Sequence, residues 1–447
     1  MKIGLIAMSG IRCCDQELLR KGLTLPGFVE RSETIASLPS LGLLTLAGMT
    51  PAEDSIEYFE VQDLKQLDPL PQNFDLVAIS SFTAQIKEAY TLADQYRALG
   101  IPVVLGGLHV TSLPDEALRH SDAVVVGEGE VVWLDVLRDA RSGRLRRRYS
   151  SFEGAEFNLT EAPMPAYELL DISKYNRLTV QTSRGCPRSC EFCASSILLT
   201  RRYKQKPLKK VLAEIDRICE IWPRPFIEFA DDNSFIHRAY WKELLPQLKQ
   251  RRVKWFAETD LSVHEDEELL RMMRDSGCAE VLIGLESPIL PGLKGIELKN
   301  DWKRRQWPHY IEAIERIQSN GIRVNGCFIL GLDGHGPEIF DAVYDFAEQA
   351  KLYDVQITYQ TPFPGTPLYR RLEKDNRLLY PGAWERCTLF DLNYQPTPMS
   401  VSQLRQGFHE LAERLYCEDF TQWRRNQFAQ YYLYSRRHKR NDQLPIA

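Results

Sequence analysis

Two series of short apolar runs alternate with helix-like stretches along this chain, and that alternation restricts the fold more than any other feature. In the first series KIGLIAM, SIEYFEV, DLVAISSF, IPVVLGG and DAVVVGEG are separated by helical patterns around LGLLTLAGM, AYTLADQYRALG and DEALRH. Continuous Val/Ile/Leu runs between helices predict a parallel sheet covered on both faces, so residues 1–145 read as a doubly wound α/β domain. The second series starts at Leu178, with strands at LTVQTS, FIEFADD, VKWFAET, AEVLIGLES, RVNGCFILG and DVQITYQT. Helices fit LKKVLAEIDRICEIW, YWKELLPQLKQ, DEELLRMMRDSG, HYIEAIERIQSNG and EIFDAVYDFAEQA. Six βα units over 176–370 predict a partial (β/α)6 barrel, with its chemistry at the C-terminal ends of the strands.

Between the two lies RSGRLRRRYSSFEGAEFNLTEAPMP, which has charge, Gly and Pro but no apolar period; residues 146–175 read as a linker. Residues 371–447 read as a helical tail, with Phe420, Trp423, Phe428, Tyr431 and Tyr432 at helix-like spacing and a basic end, SRRHKR. These aromatics fit either a cap over a large apolar substrate or packing on the barrel. The chain's 447 residues suit several domains, and its net charge of −5 argues against wholesale nucleic-acid binding. The opening MKIGLIAMSGI is too short an apolar run for a secretory signal, and no run approaches the roughly 18 residues of a membrane span. A cytoplasmic location is expected. There cysteines stay reduced, and a cluster of them points to metal or catalysis.

Such a cluster stands at TSRGCPRSCEFCASS, with Cys186, Cys190 and Cys193 spaced C-x-x-x-C-x-x-C on a loop between a strand and a helix. A structural zinc needs four ligands, and no His or fourth Cys lies nearby, although a distant ligand could complete the set. A disulfide uses two sulfurs only. A four-iron cluster is normally held by four thiolates, so three would leave one iron open.

The segment resembles the signature of the radical S-adenosylmethionine (radical SAM) superfamily, with Phe192 as its aromatic position. The resemblance implies a four-iron four-sulfur cluster whose open iron chelates S-adenosylmethionine, reductive cleavage to a 5′-deoxyadenosyl radical, and an external electron donor such as flavodoxin or ferredoxin. It also implies S-adenosylmethionine contacts from Phe192 and from strand ends: Asp231 and Asp232 in FADDNSF, Glu258 in FAETD, Glu286 and Ser287 in GLES, and Ile329 and Gly331 in GCFILGLDG. Cys278 and Cys327 read as small core residues.

In the first domain the strand ends SSFT, GGLHVT and VGEGE offer glycines for close approach and helix N-termini for phosphate. No G-x-G-x-x-G follows the first strand, which argues against a dinucleotide. GG-x-H-x-T, VGEGE and the barrel together are similar to the cobalamin-binding radical SAM family, which includes carbon methylases and enzymes resembling the anaerobic magnesium-protoporphyrin ester cyclase. GLESP, PFPGTPLYRRLE and the tail extend the similarity over nearly the whole chain. It implies cobalamin between the domains, bordered by Ser80, Ser81, Thr83, Gly106, Gly107, His109, Gly127 and Glu128. The D-x-H-x-x-G motif that supplies a lower cobalt ligand in many cobalamin domains is absent. Cys13 and Cys14 read as half-buried thiols.

Three functions follow. The first is cobalamin-dependent methylation of an unactivated carbon in a small molecule, possible substrates being large and apolar. The second is radical ring closure, oxidation or rearrangement without methyl transfer. The third is a corrinoid- or metal-binding carrier with an inactive barrel. A methylthiotransferase fits less well, since it would carry three cysteines in the first domain. In the loop after the fourth barrel strand, Lys299, Lys303, Arg304 and Arg305 read either as anion contacts or as solvated charge.

Overall fold

The structure, a computed structural model, describes residues 1–21, 38–67, 69–154, 156–198 and 202–441. Six parallel strands form the first sheet: β1 (Lys2–Met8), β2 (Ser55–Val61), β3 (Leu76–Ser81), β4 (Val103–Gly106), β5 (Ala123–Val126) and β6 (Arg148–Ser150). Their order is β2-β1-β3-β4-β5-β6, which reverses between β1 and β3 as in a doubly wound sheet. β1 lies inside the sheet with Ile3, Leu5 and Ile6 buried, which is why MKIGLIAM is apolar without alternation. The helices Leu41–Met49 and Gly129–Arg141 cover one face, and Ile86–Ala98 covers the other. β6 departs from expectation. It falls in the stretch read as a linker and pairs with β5 from Val124↔Arg148. Three residues, RYS, are too few to show a period of two.

The barrel strands are β7 (Leu178–Val180), then a short antiparallel pair, β8 (Ser183–Arg184) with β9 (Lys204–Gln205), then β10 (Phe226–Ser234), β11 (Lys254–Thr259), β12 (Cys278–Glu286), β13 (Arg323–Leu330) and β14 (Asp354–Tyr359). The large sheet runs β7-β10-β11-β12-β13-β14, every pair parallel, with β7 and β14 at its two edges. Side chains from β10 to β14 border one central cavity, which requires the sheet to curl around it. The six expected barrel strands are all present.

The tail packs on the outside of this barrel. The helix Val401–Tyr416 starts at a capping box of Ser400 and Gln403. In the next helix, Glu418–Asn441, the fully buried Arg424 donates to the carbonyls of Tyr353 (3.0 Å) and Leu415 (3.1 Å) and faces Asp354 at 3.5 Å. Phe420 stacks on Tyr344 and Trp423, and Phe428 meets Tyr353 edge-on and Tyr432 face-on. These aromatics therefore pack on the barrel wall instead of capping its mouth. The side chains of Tyr431 and of SRRHKR lie outside the described residues. Among the described residues, no helix is long and apolar enough to cross a membrane.

Beside this docking site Glu280 of β12 is 2% exposed. Burial, reinforced by Asp354 and opposed by Arg323, pushes its carboxyl up to about 8. A raised folded value means that the neutral acid is the form the fold favours. The stability it contributes is complete below the ordinary value of 4.5 and is lost as pH rises through about 8. The melting temperature is expected to fall by a few °C, roughly, between pH 7 and 9. Glu280→Gln, which keeps the shape without the proton, should remove that fall; an equal fall in the variant would discard this assignment.

Candidate functional site

The chain leaves β7 at Val180 and turns into the loop that carries the three thiols. Two consecutive carboxylates on β10 hold the base of that loop. Asp231 accepts the backbone N–H groups of Thr182 (2.7 Å) and Ser183 (2.9 Å) and the Thr182 hydroxyl. Asp232 accepts the Gly185 N–H at 2.7 Å and the Ser195 hydroxyl. Farther along, Glu191 N–H donates to the Ile296 carbonyl and Leu298 N–H to the Ser189 carbonyl, both at 2.8 Å. The Glu191 carboxylate takes a two-armed bond from Arg371, whose guanidinium also reaches Asp333 at 2.6 Å. The Arg371 of PLYRRLE thus braces the loop from the far end of the barrel. Arg371→Ala should lower stability by roughly 1–2 kcal/mol, since the pair is part-exposed, and lower iron bound per chain on anaerobic reconstitution. Unchanged iron content would show that the brace does not set the loop.

Cys186, Cys190 and Cys193 share one wall of a cavity of about 290 Å³ at the strands' C-terminal ends. Among the described residues, no three His, Cys, Asp or Glu side chains stand ready as a metal-binding group. The loop nonetheless supplies a donor set of soft thiols with N–H groups aimed at sulfur. Cys186 Sγ accepts from the Arg188 N–H (3.4 Å) and from Asn233 Nδ2 (3.5 Å). Asn233 is aligned by Asp260 (3.0 Å), which also takes two bonds from Arg188. Arg188 in turn lies 3.5 Å above the Trp302 ring. Such N–H···S contacts are those that hold and tune iron–sulfur ligands. Burial pushes the Cys190 thiol up to about 12.

Phe192, Asp232, Glu258, Glu286 and Ile329 line the same cavity. Glu258 has its side chain open to the lumen although protein surrounds it; that enclosure, with Glu228 and Asp232 near, pushes its carboxyl up to about 7. Glu286 accepts from Lys303 Nζ at 2.7 Å, and Lys303 also donates to the Gly284 carbonyl at 2.9 Å. Burial works against the Lys303 charge, but Glu286 and Cys190 outweigh it and hold the ammonium well above its ordinary value. Lys303 is therefore an inward cation, 7% exposed, and not part of the solvated run around it. Cys327 also lines the cavity, whereas Cys278 is core.

Three residues expected here face elsewhere. Asp231 is 3% exposed, and its oxygens are occupied by Thr182, Ser183 and Ser234. Burial raises its carboxyl to about 6. Ser287 is fully buried against His335 Nε2 at 2.9 Å. The carbonyl of Gly331 accepts the Tyr394 hydroxyl at 2.7 Å, outside the cavity lining.

A second cavity, about 350 Å³, lies between the domains at the ends of β3, β4 and β5. Ser80, Gly106, Gly107, Gly127 and Glu128 line it, and Gln181, Arg184, Ser195, Lys206 and Asp232 close it from the barrel side. Asp232 borders both cavities. Gly127 has φ +87°, and a Cβ there would overlap Ser151 Oγ and crowd the Phe152 ring, so only Gly lets the loop turn here. Glu128 accepts from Arg184 (3.0 Å) and Lys204 (2.9 Å), and Arg184 also pairs with Glu130.

Here too some expected residues point away. Ser81 donates to the Phe82 carbonyl, and Thr83 is 5% exposed; neither lines the cavity. His109 is fully buried, with Nε2 3.3 Å from Glu116 and its ring 5.3 Å from that of Trp384. Cys13 and Cys14 border a separate cavity beyond β1, where Asp391 accepts the Cys14 N–H at 2.8 Å. Sequence reasoning missed the helix face Leu41, Leu43 and Leu46, Trp133 and Arg184. The unbroken apolar run LGLLTLAGM carried the first signal; Arg184, within TSRGC, stood beside the motif unread.

Three family models match along the chain. Residues 180–347 match the radical SAM superfamily, residues 37–137 the B12 binding domain, and residues 366–446 a domain of unknown function. The chain is 28% identical over 370 residues to bacteriochlorophyllide d C-12(1)-methyltransferase of Chlorobaculum tepidum, covering 80% of each. It is 26% identical over 386 residues to the anaerobic magnesium-protoporphyrin IX monomethyl ester cyclase of Rubrivivax gelatinosus, covering 76% of this chain and 68% of that one. In fold it is similar to the radical S-adenosylmethionine methyltransferase TsrM of Kitasatospora setae, with TM-score 0.66 and 14% identity over 94% of this chain and 89% of that one. The protein is thus a radical SAM enzyme. It pairs a radical SAM domain with a B12 binding domain, as its relatives among the cobalamin-dependent methylases and cyclases do, and that pair implies a four-iron four-sulfur cluster, S-adenosylmethionine and cobalamin as cofactors.

Proposed function

We propose that this chain is a cobalamin-dependent radical methyltransferase acting at an unactivated carbon of a small molecule. The observation that carries the reading is the meeting of the two cavities at Asp232, one bordered by the cysteine triplet and the other by the strand ends of the B12 binding domain. When bound, the cluster and the corrinoid supply, respectively, the electron that splits S-adenosylmethionine and the methyl group for the substrate. Cys186, Cys190 and Cys193 would hold the cluster. Phe192 and Ile329 offer apolar surface to an adenine, Asp232 and Glu258 offer carboxylate oxygens to an ammonium, and Glu286 offers one to ribose hydroxyls. Ser80, Gly106, Gly107, Gly127 and Glu128 would edge the corrinoid, with Gly127 keeping the backbone low enough for close approach.

The curated relative named for bacteriochlorophyllide supports a large apolar substrate of tetrapyrrole kind. An external one-electron carrier, flavodoxin or ferredoxin, completes the partners. The test is anaerobic reconstitution with cobalamin supplied, with iron and cobalt analysis and product assay under dithionite. About four irons, bound cobalt, and S-adenosylhomocysteine formed beside 5′-deoxyadenosine are expected. Formation of 5′-deoxyadenosine without S-adenosylhomocysteine would remove methyl transfer. That outcome favours ring closure, the reading supported by the cyclase relative.

A further inference from the structure

We propose that the segment 290–306, on the outer side of the cysteine loop, is the docking surface for a small acidic electron-carrier protein of the flavodoxin kind. The proposal rests on the radical SAM reading of the site beneath it. The segment is fastened directly to the cysteine loop. Residues 296 and 298 exchange backbone hydrogen bonds with Glu191 and Ser189, and Cys190 forms a bridge with Glu297. Trp302 carries the Arg188 guanidinium, from between the first two cysteines, on its ring. The segment is therefore the layer of protein packed directly against the cysteine loop.

That surface is cationic in a chain whose net charge is −5. Lys294, Lys299, Arg304 and Arg305 are exposed, and Asp301, paired to Arg304 at 3.4 Å, is the acid among them. Among the described residues, Lys294, Lys299 and Arg305 have no ion-pair partner, and Arg304 pairs only with Asp301 of the same segment. Leu298 stands 53% exposed in their midst. Unpaired cations around an exposed apolar side chain match an acidic protein face with an apolar centre, the arrangement that steers association and then seats it. The inward Lys303 shows that the segment's charges are sorted: one serves the cavity, and the rest face out. The step itself is a single electron transfer. The carrier's flavin loses one electron, the cluster gains it, and no bond is made or broken.

The test uses the full chain, reconstituted anaerobically, with purified reduced flavodoxin or dithionite as reductant and 5′-deoxyadenosine as readout. Lys299→Glu/Arg305→Glu should raise the KM for flavodoxin by at least about tenfold at low salt and flatten its salt dependence. The dithionite-driven rate should stay within about twofold. Lys254→Glu/Arg224→Glu, at the opposite end of the barrel, should leave both rates unchanged. An unchanged flavodoxin KM in the first variant, or an equal loss with dithionite, would overturn the proposal. So would cosedimentation with phosphatidylglycerol vesicles that the first variant abolishes while flavodoxin kinetics stay the same. Absence of 5′-deoxyadenosine from the unmodified chain under dithionite would instead count against the proposed function.

Discussion

Replacement of Cys190 by Ala is expected to end 5′-deoxyadenosine formation, a fall of at least about a thousandfold, or some 4 kcal/mol of barrier. Cys190 is 7% exposed, at the point where the cysteine loop bridges to Glu297, and its sulfur faces the cavity with Lys303 near. Among the described residues, no His or Cys outside the triplet stands in its place: Cys327 lines the cavity from β13, and Cys278 is packed in the core at the start of β12. The expected result is iron well below four per chain, the loss of the broad cluster absorption, and an otherwise folded protein. Cys278→Ala, which removes a buried sulfur away from the cavity, should keep iron and activity and lower only stability, by about 1 kcal/mol. If Cys190→Ala kept full iron and cleavage while Cys278→Ala lost them, the cluster would have to be sought elsewhere.

The second large effect concerns the interdomain cavity. Gly127→Ala places a methyl group onto Ser151 Oγ in a backbone conformation that L residues rarely adopt, at a cost of roughly 1–3 kcal/mol. The 127–130 loop must then shift, taking Glu128 and Glu130 with it. Bound cobalt should fall sharply, and with it S-adenosylhomocysteine formation, while iron content and reductive cleavage under dithionite persist. Ser80→Phe is the companion variant: it fills the cavity from the end of β3 without straining the backbone and should give the same split. Equal loss of iron and cobalt in both variants would show that the two cavities do not load separately.

Much of this architecture could be read from residues alone, because parallel strands buried on both faces announce themselves as Val/Ile/Leu runs. The exception, β6, is an edge strand of three residues, too short to show any apolar pattern. The site was harder at the level of single side chains. Asp231 and Asp232 are neighbours in one strand, so they point to opposite faces, and only the second reaches the cavity. Ser287 follows Glu286 with the same reversal, and Gly331 lies past the end of β13 under Tyr394. Lys303 looked like one of a row of surface cations; its burial follows from Glu286, seventeen residues earlier, a pairing that only the folded loop creates. His109 lies in a promising GG-x-H-x-T string, but its helix turns the ring toward Trp384 of the tail region.

The Arg184 bridge bears on how such a protein can be divided. Its guanidinium belongs to the barrel, two residues ahead of the first thiol, while Glu128 and Glu130 belong to the other domain. Separating the halves would leave two largely buried carboxylates without their cation and expose the Leu41–Leu46 helix face to water. An isolated barrel is therefore not a smaller version of the enzyme. Its ligand loop would be unmoored on one side, and its partner domain would be prone to self-association. The two modules, matched by separate family models, hold together in this chain as one structural unit.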